Sequence, residues 1–208
     1  PTITSTLSSP TNATTIPITV TFDETVTGFD STDISVGNGT ISSFTGSDTT
    51  YTLSVIPTAD GSVTVDISAG SCMDIAFNTN IAATQFSITY DTIGAIATIS
   101  SADSITNISP IPITITFNEP VTGFELDDIT VYNQVFWADY NSYTLSDFSG
   151  SGATYSFNLN PDSSAWLGFI VLDNVCLDLA GNYNLPPEGY DPTHPMTDGP
   201  NVAYFVYY

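Results

Sequence analysis

The side chains in this sequence that could do chemistry are nearly all carboxylates. It carries 22 Asp and Glu residues against no Lys, no Arg and one His, a formal net charge of -22 at pH 7. Oxygen donors gather in two groups: Asp23, Glu24, Asp30, Asp33, Asp74 and Asn78, then Asn118, Glu119, Glu125, Asp127, Asp128, Asp178 and Asn182. Calcium takes about six to eight oxygens at flexible geometry, from carboxylates, amide oxygens and carbonyls on two or three loops. Both groups suit it, and calcium is the expected cofactor. Asp91 stands between them, where a shared ion would rigidify a junction. A structural reading of the same residues stays open: Asp33 and Asp128 would cap turns, while Asp74 and Asp178 would shape Asx turns.

The charge balance also sorts partners. Nucleic acid is excluded, because phosphate binding needs Lys or Arg to displace counterions. Anionic membrane surfaces are disfavoured for the same reason, and no run approaches the ~20 apolar residues that cross a bilayer. Uncompensated carboxylates repel one another, so external cations are expected to offset them. The chain opens at Pro1 without an initiator Met, as expected of a processed chain or an excerpt of a longer one.

Catalysis finds little support. His194 is the sole histidine and sits between Thr193 and Pro195, and no Gly-x-Ser-x-Gly elbow exists to present a nucleophile. The expectation is a protein that is not an enzyme. Cys72 and Cys176 occupy equivalent places in a repeat described below, so a bridge between them would need equivalent points of two modules within about 6 Å. Burial as small apolar groups is the favoured reading. The aromatics Tyr132, Phe136, Trp137, Tyr140 and Trp166 crowd the later half. Such residues anchor protein contacts or stack on sugars, or else form a small core under long loops.

An internal repeat positions all of these residues. Ile16-Pro-Ile-Thr-Val-Thr-Phe-Asp-Glu-Thr-Val-Thr-Gly-Phe29 returns as Ile111-Pro-Ile-Thr-Ile-Thr-Phe-Asn-Glu-Pro-Val-Thr-Gly-Phe124, an offset of 95 residues. The offset becomes 104 where Phe44, Gly46, Tyr51, Cys72, Asp74 and Asn78 match Phe148, Gly150, Tyr155, Cys176, Asp178 and Asn182. The second copy thus carries an insertion at about 133–147, and a second, rich in Pro and Gly, at about 185–201. Within each copy apolar residues alternate with polar ones, as in Ile16, Ile18, Val20, Phe22 and in Val63, Val65, Ile67, which is the period of a half-buried strand. Gly, Asn, Asp and Ser clusters punctuate the runs. The expected fold is all-β, two tandem Greek-key immunoglobulin-like sandwiches over 1–92 and 93–208.

Thr21-Phe22-Asp23-Glu24 with Val26-Thr-Gly-Phe29 and Asp33-Ile34, followed by Phe44-x-Gly46-Ser47, Thr50-Tyr51 and the Asp74-x-Ala-x-Asn78 loop, resembles the bacterial Ig-like repeats of large surface adhesins and biofilm proteins. The second copy has the fuller loop, Asp178-Leu-Ala-Gly-Asn182, whereas the first has Phe77 in place of the glycine that suits a tight turn. The resemblance implies an extracellular or cell-surface spacer, adhesive unit or filament element, often stiffened by calcium at one end of each module. Its expected partners are copies of itself or neighbouring modules. The alternative is a carbohydrate- or protein-binding module that uses the aromatic insertion of the second copy.

Overall fold

A computed structural model describes residues 1–102, 105–133, 143–186 and 202–207. The chain divides into two compact units, Pro1–Thr92 and Ile93–Tyr208. Each is an immunoglobulin-like arrangement of mostly antiparallel sheets, and the described residues contain no helix beyond two three-residue 3-10 turns.

The first unit runs β1 (Thr2–Ser5), β2 (Ile16–Thr21), β3 (Val26–Thr27), β4 (Ile34–Gly37), β5 (Gly39–Ser47), β6 (Thr50–Pro57), β7 (Gly61–Ile67), β8 (Met73–Asp74) and β9 (Phe86–Tyr90). One sheet has the order β1-β2-β6-β5, the other β4-β7-β9, and β3 pairs β8 as a short ribbon. The two-residue period predicted for β2 and β7 is what buries Ile16, Ile18 and Val20 from one sheet and Val63, Val65 and Ile67 from the other. Side chains of both sheets meet in one core, so each sheet covers the apolar face of the other.

The second unit repeats this plan with β10 (Ala97–Ser100), β11 (Ile105–Thr106), β12 (Ile111–Thr122), β13 (Ile129–Asn133), β14 (Tyr143–Pro161), β15 (Ala165–Val171), β16 (Leu177–Asp178) and β17 (Val202–Tyr207). Its sheets are β10-β12-β14, with β16 also on β12, and β11-β17-β15-β13. β14 runs through the hairpin that separates β5 from β6, and Gly152 (φ +64°) takes the left-handed turn position held by Asp48 (φ +59°). Phe157 and Phe169 meet at 5.9 Å in a separate core. Most of the two insertions expected at about 133–147 and 185–201 lies outside the described residues.

An aromatic plug closes the same end of each core. Phe22, Phe29, Phe44 and Tyr51 are matched by Phe117, Phe124, Phe148 and Tyr155, with the stacked Phe44–Tyr51 and Phe148–Tyr155 pairs at 5.7 and 5.8 Å. Gly46 explains the Phe-x-Gly spacing: at φ +143° it lies so close to the Thr50 carbonyl and the Tyr51 ring that a Cβ would collide with both. Gly150 stands in the same relation to the Thr154 carbonyl.

Candidate functional site

Beyond this plug, the Asp-x-Ala-x-Asn segment forms a closed loop in both units. Asp74 N–H donates to the Asn78 carbonyl at 2.9 Å, and the Asp74 carboxylate accepts from Ala76 N–H (2.7 Å), Asn78 N–H (2.9 Å) and Asn78 Nδ2 (2.8 Å). The second unit reproduces it: Asp178 accepts from Asn182 N–H and from Asn182 Nδ2, each at 2.9 Å. Both aspartates are buried in spite of their charge. Bonds donated to a carboxylate compensate the lost hydration. Those from the Asn78 side chain and then the Asn78 backbone hold the Asp74 carboxyl below the usual carboxylate range, against the smaller opposing effect of burial. Asp74 therefore keeps its charge to a lower pH than an ordinary aspartate does.

The missing glycine of the first copy does not open this turn. Phe77 adopts φ +67°, the left-handed conformation that Gly181 (φ +92°) takes in the second, and its N–H reaches the Asp74 carbonyl at 3.2 Å. The hydrogen-bonded loop imposes a conformation that a bulky residue disfavours. The Phe77 ring is left 82 % exposed.

In the first unit the loop is one wall of an open groove of about 620 Å³, which Pro1, Phe22, Asp23, Glu24, Asn78 and Ile81 also line. Three sequence-predicted carboxylates, Asp23, Glu24 and Asp74, thus share one groove with the Asn78 amide. Asp23 and Glu24 are exposed whereas Asp74 is buried. The donor set consists of oxygens, without imidazole or thiolate, and fits a hard cation such as calcium.

Asp33 and Asp30 lie outside this groove and form a capping box. Asp33 Oδ2 accepts from Asp30 N–H at 2.8 Å, and Asp30 Oδ1 accepts from Thr32 N–H at 2.7 Å. The Thr32 hydroxyl, then the Thr32 N–H, lower the Asp30 pKa. Asp128 does the same for Glu125 N–H at 2.7 Å in the second unit, where Asp127 points to solvent from the same 3-10 turn. These residues build turns. Glu119 and Asn182 are half-buried in the second unit, and Asp91 is half-buried in the first, its N–H donating to the Thr11 carbonyl at 3.0 Å. Phe136, Trp137, Tyr140 and His194 lie outside the described residues, as do the side chains of Tyr132 and Trp166.

Cys72 and Cys176 are buried free thiols. Burial, and then the Asp33 charge, raises the pKa of Cys72. Burial, followed by Asp128 and Asp178, pushes Cys176 up to about 12. Neither is a nucleophile near neutral pH, since the thiolate is the reactive form.

Two residues that the sequence reading passed over hold the loop to the core. Asn184 Oδ1 accepts from Val175 N–H (2.9 Å) and Cys176 N–H (3.1 Å), and its Nδ2 donates to the Leu172 carbonyl at 2.6 Å. Asn80 serves the first unit in the same way, accepting from Cys72 N–H at 3.0 Å and donating to the Ser68 carbonyl at 2.9 Å. The signal was available, because Asn80 and Asn184 share the 104-residue offset of the loop they close.

Comparison with solved structures finds chains of low identity. InvD of Yersinia pseudotuberculosis matches with 14 % identity and a TM-score of 0.41 over 99 % of this chain and 56 % of its own. Invasin, described as a bacterial integrin-binding protein, matches with 13 % identity and a TM-score of 0.39 over 82 % of this chain and 36 % of its own. Domains 5–6 of the S-layer protein SbsC give 12 % identity and a TM-score of 0.26 over 99 % of this chain and 94 % of their own. The chain thus spans little more than half of InvD and about a third of invasin. Curated protein sequences give no significant match. The family model described as "Bacterial Ig-like domain" matches twice, over residues 1–90 and 91–190. With nearly its whole length accounted for by those two matches, the chain belongs to the bacterial Ig-like domain family, as two consecutive copies.

Proposed function

We propose that the chain is a pair of structural modules of an extracellular surface protein, which carry force or extend an adhesive part away from a cell. The observation that carries this reading is the duplication of the same loop-bearing end in two units with separate cores. Each such end presents apolar side chains to solvent, Ile75, Phe77 and Ile81 in the first unit and Leu179 and Tyr183 in the second, as surfaces that meet other modules do. The absence of Lys and Arg removes every trypsin site, which suits an exposed material.

Calcium is the ion this reading calls for. In the first unit Asp23, Glu24 and Asp74, with the Asn78 amide, would hold it. Bound there, it would neutralise carboxylates that have no protein cation to pair with and tie the loop to the β2–β3 turn.

Pulling on single molecules tests the mechanical role. Two discrete unfolding events are expected, the first unit of 92 residues releasing roughly 300 Å of chain and the longer second unit more. Smooth extension without discrete events would count against it.

A further inference from the structure

Three stretches fit the acceptor pattern for an N-linked sugar: Asn12-Ala13-Thr14, Asn38-Gly39-Thr40 and Asn107-Ile108-Ser109. Two of them occupy one place in the repeat, since Asn12 and Asn107 stand at the 95-residue offset. Between the copies Ala13 becomes Ile108, Thr14 becomes Ser109 and Thr15 becomes Pro110, while the asparagine and a hydroxyl two residues on are kept. Those are the two positions that the pattern requires.

The local structure is the same in both. Thr11 pairs in parallel with Tyr90 and Thr106 with Tyr207, so each threonine ties its segment to the last strand of its own unit. The Thr11 hydroxyl then accepts from Ala13 N–H at 3.2 Å, and the Thr106 hydroxyl from Ile108 N–H at 3.1 Å. The turn sets the asparagine on the outside of the loop that leads into β2 or β12: Asn12 and Asn107 are exposed, and so are Thr14 and Ser109. The Thr14 and Ser109 hydroxyls find no partner among the described residues, so the fold makes no use of the group that the pattern keeps. Asn38 differs on each count. It is half-buried at φ +55° between β4 and β5, where its Nδ2 donates to the Ala59 carbonyl at 2.7 Å and its carbonyl accepts from Thr58 N–H at 3.1 Å.

We propose that Asn12 and Asn107 carry N-linked glycans and that Asn38 does not. In the transfer, Asn Nδ2 forms a bond to C1 of a sugar carried on a lipid pyrophosphate, and the bond from C1 to the phosphate oxygen breaks. The pyrophosphate leaves with the electron pair, and the amide gives up one proton. The attached sugar is a bulky, hydrated cover on a surface loop, and it consumes none of the carboxylates. The inference rests on the reading of the chain as an extracellular protein, because the pattern is used on secreted chains.

The test recovers the full chain from the cells that make it, in separate surface and interior fractions, cuts it after Asp and Glu, and weighs the peptides by mass spectrometry. The peptides that hold Asn12 and Asn107 are expected to carry a sugar mass, and the one that holds Asn38 none. Thr14→Ala and Ser109→Ala should each abolish the sugar on its own asparagine, in chains whose circular dichroism remains that of the parent. A surface chain with Asn12 or Asn107 bare would overturn the paired sites and leave the extracellular reading standing. Sugar on Asn38, or sugar that persists on Asn12 in Thr14→Ala, would overturn the assignment as well. A bare chain found only inside the cell would overturn both the sites and that reading.

Discussion

Gly94→Val is expected to lower the melting temperature of the second unit by roughly 10 °C or more, which calorimetry or circular dichroism would read. The side chain would be placed on the Tyr183 carbonyl, and backbone atoms do not give way as the end of a flexible side chain does. Tyr183 is bridged to Leu177, and its neighbour Asn184 is bonded on three sides, so the loop resists displacement. Relief has to come from residues 94–96, at the cost of the Leu185 N–H bond to Ala95 and of the burial of Ala95 itself. Overpacking of this kind costs about 1–3 kcal/mol and a lost backbone bond about 1 kcal/mol more. In a domain of this size each kcal/mol moves the midpoint by about 4–8 °C. A midpoint within about 2 °C of the parent would show that the linker residues do not close this end of the unit.

Asn184→Ala is the second large effect, expected at about 2–4 kcal/mol. Asn184 is 2 % exposed, and truncation leaves the Val175 and Cys176 N–H groups and the Leu172 carbonyl without their shared partner. Groups stranded in this way are costly because water does not reach them. Asn80→Ala in the first unit should cost less, because Asn80 is only half-buried and water can replace part of what it supplies. Urea titration of the two variants checks the ranking. Equal losses would mean that burial does not set the cost.

Much of this architecture was legible in the sequence, because the signals that build it are local. Alternation in Ile16–Phe22 and Val63–Ile67 names the buried face of β2 and β7 directly. The repeat supplies the second unit by analogy with the first, including the aromatic plug that Phe-x-Gly and Tyr compose. The site was harder to read, since a carboxylate that holds a turn and one that faces a ligand have the same letter. Asp33 and Asp128 are capping groups, as the structural reading had it, while Asp74 bonds its own loop and also lines the groove with Asp23 and Glu24. Two features were hidden for physical reasons. Phe77 hides a left-handed turn because the bonds around Asp74 override its preference, and Asn80 looks like any polar loop residue until its partners are known.

The central claim is that cations hold the acidic ends of these modules, and a thermal melt followed by circular dichroism tests it most directly. The full chain is stripped with chelator, calcium is titrated in, and magnesium serves as the control. An ion that binds only the folded state, at about a hundred times its Kd, adds roughly 2.7 kcal/mol. The account therefore predicts a rise of roughly 10 °C or more with calcium and much less with magnesium, and Asp74→Asn should blunt it. A melting curve that calcium leaves unchanged would contradict the claim, leaving the exposed carboxylates as a solvated coat and the buried Asp74 and Asp178 as bonds within their own loops.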